Sequence, residues 1–125
     1  MKSLSPGLTG SFQSDVADSD SAIALGSGSV PVLATPRLVA WLEAAAVDAI
    51  SATIPDDSTS VGTLIEIEHL AATPIGGVVN ANATVVSVDG RMVEFDLQAT
   101  DDRTVIAKGR HLRAIVNETR FLAGL

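Results

Sequence analysis

The stretch from Val32 to Ile50, V-L-A-T-P-R-L-V-A-W-L-E-A-A-A-V-D-A-I, limits what this chain can fold into more than any other. Thr35 suits an N-cap, and Pro36 suits the first helical position, where a missing N–H costs nothing. Leu38, Val39, Leu42, Ala45, Ala46, Ala49 and Ile50 then recur at helical spacing and give a broad apolar face. Ala44, Ala45 and Ala46 keep the helix thin enough to lie close against a sheet. Glu43 borders the apolar face, about one position from Leu42 and Ala46, and a carboxylate there needs a partner or a purpose. The helix is expected to run to about Ala52–Ile54, where Pro55 stops it.

Around it the chain reads as β. The alternation Leu8, Gly10, Phe12, Ser14, Val16 predicts a short edge strand. Asp18 to Ser29 is small and polar and reads as a mobile loop. Val61, Thr63, Ile65, Ile67 and His69 form one face of a strand, with Glu66 and Glu68 on the other. Val79, Ala81, Ala83 and Val85 predict the inner face of a third strand. Asp89-Gly90 is a hairpin signal, and Val93, Phe95, Leu97 and Ala99 predict a fourth strand. Val105 to Val116 predicts a fifth, and Asn117 to Leu125 a short terminal helix. A strand, a helix and four hairpin-linked strands favour an α+β fold, with an antiparallel sheet of about five strands curled around one helix.

The 125 residues are expected to form a single domain spanning 1–125, burying roughly two-thirds of its unfolded surface. Aromatics are only 3% of the chain, so Val, Ile, Leu and Ala must build the core. The formal net charge of −7 argues against nucleic acid or an anionic membrane as main partner. With no cysteine, thiolate nucleophiles, disulfides and Cys-based zinc sites are excluded. No signal segment and no membrane span are read, and a soluble cytoplasmic protein is expected.

Three strings, L-A-T-P-R-L-V-A-W-L-E-A-A-A, E-H-L-A-A-T-P-I-G and G-R-H-L-R, resemble the hotdog-fold thioesterases of the fluoroacetyl-CoA thioesterase type. The likeness runs from about Val30 to Val116. It implies a hotdog fold and an acyl-CoA thioesterase working with a Thr, a Glu and a His, which fall on Thr35, Glu43 and His69. It also places a glycine in the strand before the His, which falls on Gly62, whose amide can serve an oxyanion. His111 and Arg113 are expected to support the site or the fold, with Arg113 a partner for Glu43. The resemblance implies no metal and no cofactor beyond CoA as part of the substrate. It also implies a homodimer paired through the edge strand Val61–His69.

Each residue has a plainer reading. Thr35 can simply cap the helix, Glu43 can pair with Arg37 or Arg113, and His69 can be a core histidine. Lys108 and Arg110 point to the opposite face from His111, as solvated charges or as contacts for a CoA phosphate. Trp41 reads as core or dimer packing. The fluoroacetyl-specific member closes a lid of aromatic residues over its acyl group. Here the matching stretch, Gly26-Ser27-Gly28-Ser29, has no aromatic, so that specificity is not expected. The alternative function is a non-catalytic hotdog module that binds acyl-CoA or another apolar small molecule. Hydratase chemistry on the same fold fits less well, for want of a paired Asp/His string.

Overall fold

The computed structural model describes residues 3–125. In chain order the elements are β1 (Thr9–Asp15), a 3-10 turn (Asp18–Asp20), α1 (Ala22–Leu25), α2 (Thr35–Ile50), β2 (Ser58–His69), β3 (Val78–Asp89), β4 (Met92–Thr100), β5 (Val105–Asn117) and α3 (Glu118–Ala123). The five strands form one antiparallel sheet in the order β1-β3-β4-β5-β2. Both β1 and β2 are therefore edges, as their sequences predicted.

Helix α2 lies on the sheet because its apolar stripe has nowhere else to go. Leu38, Leu42, Ala45, Ala46 and Ile50 are fully buried against Val79, Ala81, Ala83, Val85, Val93, Phe95 and Leu97. Each large aliphatic side chain buried this way stabilises by about 2 kcal/mol. The close approach is set by small residues on both sides. A methyl group built on Gly10 in β1 would run into the backbone of Ala45 and Ala49. Trp41 is buried beside Phe12, with ring centroids 6.0 Å apart.

Four local expectations are corrected. The Asp18–Ser29 stretch carries an ordered 3-10 turn and the short helix α1, which Ser21 caps by accepting from Ala24 N. Helix α2 ends at Ile50, and the segment Ser51, Ala52, Thr53, Ile54 before Pro55 is a turn rather than more helix. The Thr53 hydroxyl donates to the Ile50 carbonyl at 2.8 Å, which satisfies one of the acceptors left at the helix end. The third correction is in β2, which is not an unbroken alternation. Its register with β5 slips between Gly62 and Leu64, so Gly62 pairs with Arg113, Leu64 with Leu112 and Ile65 with His111. Thr63 is the extra residue of a bulge. The slip puts Gly62 on the helix-facing side with Ile65, Ile67 and His69, and takes Val61 and Thr63 off the face they were expected to share.

The hairpin between β3 and β4 turns through Gly90 and Arg91, one residue later than Asp89-Gly90 suggested, with Gly90 at φ 60°. Val79, Ala81, Ala83 and Val85 of β3 and Val93, Phe95, Leu97 and Ala99 of β4 are all buried, as their alternation predicted. Among the described residues, no helix is long and apolar enough to cross a membrane.

Candidate functional site

Two clusters of polar side chains lie between α2 and the β2–β5 side of the sheet. The first joins the start of α2 to the end of β2. Ala34 is the residue that caps α2, with extended backbone, and its carbonyl accepts the first helical bond from Leu38 N. Thr35 therefore sits inside the first turn and does not cap the helix, which corrects the expected role. Its hydroxyl is left free to meet His69, with Oγ1 2.7 Å from Nδ1. Burial pushes the His69 pKa below its ordinary value, against a smaller opposing effect of the Ala71 backbone. The ring is thus neutral at neutral pH. Its Nε2 is buried without a hydrogen-bond partner among the described residues.

This pair opens on a cavity of about 360 Å³ lined by Ala22, Val30, Val32, Leu33 and Leu70 on its apolar side and nearly as much by polar groups, Ser27 and the pair itself among them. A neutral imidazole bonded to a hydroxyl beside such a cavity can serve acyl transfer in two ways. With Nδ1 accepting, the hydroxyl becomes more nucleophilic. With Nδ1–H donating, the hydroxyl proton is free to meet a substrate oxygen.

The second cluster centres on Arg113, whose side chain is almost wholly buried. Its Nε donates to Ser60 Oγ at 2.8 Å and one terminal nitrogen donates to the Ser60 carbonyl at 3.0 Å. The other terminal nitrogen donates to Glu43 Oε2 and lies against His111 Nε2, both at 3.1 Å. His111 Nδ1 is 2.7 Å from the Leu64 carbonyl, which can only accept, so the ring proton is on Nδ1. Nε2 then accepts from Arg113, and His111 is neutral. Burial lowers its pKa first; the Leu64 carbonyl and Glu43 oppose that, while the Arg113 charge adds to it. The 3.8 Å approach of His111 Nε2 to Glu43 is for that reason not an ion pair. Burial also lowers the Arg113 pKa, partly offset by Glu43.

Gly62 completes this cluster. A methyl group built on it would lie 2.6 Å from Glu43 Oε2 and 3.2 Å from His111 Cε1, so the missing side chain makes room for the carboxylate. Of the two partners expected for Glu43, Arg113 is the one that binds it. Arg37 instead lies 3.0 Å from Asp20, an ion pair in which its Nε lacks hydrogen-bond alignment. Arg110 pairs with Glu66 and Glu94 on the outer face of the sheet, where Lys108 also lies.

Within one chain the two clusters are separate. Thr35 and Glu43 are about 12 Å apart along the helix axis at 1.5 Å per residue, and the hydrogen bonds of Glu43 and His69 share no member. The sequence missed Ser60, which holds the Arg113 fork, and Asp101, an acid buried beneath the segment that follows β2. A Ser in a polar S-T-S run and an Asp in a D-D-R turn carry no local signal of burial.

The chain matches the family described as fluoroacetyl-CoA-specific thioesterase over residues 16–119. It is 36% identical over 92 residues to a fluoroacetyl-CoA thioesterase of Streptantibioticus cattleyicolor. That alignment covers 74% of this chain and 66% of the relative, just under two-thirds of the relative's length. A crystal structure of a single-substitution mutant of the fluoroacetyl-CoA-specific thioesterase FlK superposes with a TM-score of 0.92 at 28% identity, covering 99% of this chain and 96% of that one. A thioesterase-superfamily member from Thermus thermophilus shares the fold, with a TM-score of 0.90 at 22% identity over 98% of this chain and 91% of that one.

Proposed function

The chain belongs to the fluoroacetyl-CoA-specific thioesterase family and has its hotdog fold, and from that premise we propose that it is an acyl-CoA thioesterase working with Thr35, Glu43 and His69. The observation that carries this reading is the 2.7 Å contact of Thr35 with a neutral His69 at a cavity of mixed lining whose apolar side is formed by Val30, Val32, Leu33 and Leu70. The thioester carbonyl lies near the Thr35 hydroxyl, with the acyl group in the cavity. The Glu43 carboxylate engages the carbonyl carbon directly or through water. Where Glu43 activates water, the proton that the attacking water loses passes to His69 and from it to the departing thiolate. Where Glu43 attacks directly, the thiolate leaves as an acyl anhydride forms. Water then cleaves the anhydride, its proton reaching the thiolate through His69. Free acid and CoA are the products. The Gly62 amide is a candidate donor to the developing oxyanion, and His111 and Arg113 hold Glu43 in place.

A homodimer resolves the separation of the two clusters. β2 is an edge strand with one side unpaired in the sheet, and antiparallel pairing with a second copy centred on Glu66 sets Ile67 opposite the partner's Ile65 and, with Thr63 bulged out of the pairing, His69 opposite the partner's Gly62. Directly opposed residues on one face of an antiparallel pair lie about 5 Å apart. The partner's Glu43, which packs on that glycine, then comes beside His69. Each site in this arrangement takes Thr35 and His69 from one copy and Glu43 from the other.

The test is a hydrolysis screen of acyl-CoAs from acetyl to long-chain and aromatic, read by thiol release. On the best substrate, Glu43→Gln and His69→Ala each lower kcat by about 100-fold or more with the circular dichroism spectrum unchanged. Mixing the two inactive variants and allowing subunits to exchange restores part of the activity if the site is shared between copies. Wild-type turnover in both single variants would refute the site, and saturable binding without any turnover would favour the binding-module alternative.

A further inference from the structure

We infer that the buried Asp101–Thr73 pair is a positioning element for the Thr35–His69 contact, fixing the strap Leu70–Pro74 to which both residues' segments are tied. The inference rests on the function proposed above. Thr35 and His69 belong to segments far apart in sequence, and their contact depends on how those segments are held together. The strap leaves β2 directly after His69, and its start is anchored by Leu70 N donating to the Ile106 carbonyl at 2.7 Å. Its far end holds the chain that enters α2. Leu33 N donates to the Thr73 carbonyl at 2.8 Å, and Val32 bridges to Pro74. Leu33 is two residues before Thr35. The strap thus sets the spacing of hydroxyl and imidazole from both sides.

Asp101 holds the strap from beneath. Its side chain is fully covered, and Thr73, also fully buried, donates its hydroxyl to Oδ2 at 2.9 Å. Oδ1 accepts from the backbone N–H groups of Arg103 and Thr104, both at 2.9 Å. Burial would raise the Asp101 pKa, but these bonds and the Arg103 charge outweigh it and hold the group ionised. Arg103 then reaches over to donate to the Ala72 carbonyl at 2.6 Å. The two backbone bonds are what any aspartate makes in capping its own turn. The bonds to Thr73 and Ala72 are long-range, and both end on the strap.

Thr73→Val removes the hydroxyl at nearly constant shape, and Thr73→Ser restores it. The expected result for Thr73→Val is a fall in kcat of about 10- to 100-fold with KM changed less than about 2-fold, since displacement of the order of 1 Å costs about that much. The acid limb of the kcat/KM profile should also move up toward the ordinary histidine value of 6.5, because a loosened strap lets water reach His69. Thr73→Ser recovers most of both. Arg103→Ala, at an exposed side chain, carries the same test with a smaller effect should Thr73→Val fail to fold. Unchanged kcat and acid limb in the folded variants would overturn the inference, as would a Thr73→Ser protein no better than Thr73→Val. His69→Ala is assayed alongside. If it is inactive while Thr73→Val behaves as wild type, only the positioning role fails; if it is fully active, the proposed site fails and this inference falls with it.

Discussion

Gly62→Ala separates a placed carboxylate from a merely exposed one, using a single methyl group. That methyl would lie 2.6 Å from Glu43 Oε2, about 0.8 Å inside ordinary van der Waals contact at 3.4 Å. The carboxylate is the end of a flexible side chain with 38% of its surface exposed, so it swings aside and the backbone stays. His111 Cε1, at 3.2 Å, has to give by a few tenths of an ångström. Stability changes little, because the unfolded chain loses about 0.4–1 kcal/mol of entropy on Gly→Ala, which offsets the crowding. The Gly62 N–H is retained, so any loss is not the loss of an oxyanion donor. A reacting group displaced by nearly 1 Å costs on the order of 100-fold. The expected outcome is kcat down by about that factor, with the unfolding midpoint within about 3 °C of wild type. The assay is thiol release on the best acyl-CoA, beside thermal unfolding by circular dichroism. Full activity in a folded Gly62→Ala protein would refute the claim that Glu43 must stand where the structure has it.

His69 and His111 have folded pKa values below 6.5, so the unfolded chain binds more protons there. Their contribution to stability is full above about pH 6.5 and is lost as pH falls from there through the folded values. The thermal midpoint should therefore drop between pH 7 and pH 5, and a flat midpoint would count against neutral buried histidines. Fluoroacetyl-CoA should not be strongly preferred over acetyl-CoA, because Gly26 to Ser29 offer no bulk around a small acyl group; a preference of several orders of magnitude in kcat/KM would show this wrong. Light scattering at micromolar concentration should give twice the chain mass, and a stable monomer would remove the shared site. Thr35→Val should lower kcat without the loss of about 1 kcal/mol that removing an N-cap brings, since Ala34 holds the cap position; an unfolding midpoint several degrees lower would contradict that placement.

The sequence by itself determined the long helix and the five strands, and the inner faces of α2, β3 and β4. A 3.6-residue period in α2 and a two-residue period in β3 and β4 are local patterns, and burial of those faces leaves one sheet on one helix. The turn at Gly90 and the edge position of β2 follow from chain order in the same way. What the tertiary structure decided depends on register and on contacts between distant segments. The bulge at Thr63 turns Gly62 toward Glu43; an isolated Gly inside S-T-S-V-G-T-L hints at an irregular strand, but which residue bulges is set by the register with β5. Glu43 pairs with Arg113 rather than Arg37, which is six residues away on the same helix and turned to another side, where it meets Asp20. Thr35 gives up the cap because the first helical carbonyl is that of Ala34, a one-residue shift that frees its hydroxyl for His69. Asp101 and Thr73 read as ordinary turn residues until the fold buries them together. Periodicity is set by neighbours in sequence, whereas a hydrogen bond between residues 28 or 70 positions apart exists only once the sheet has fixed its register.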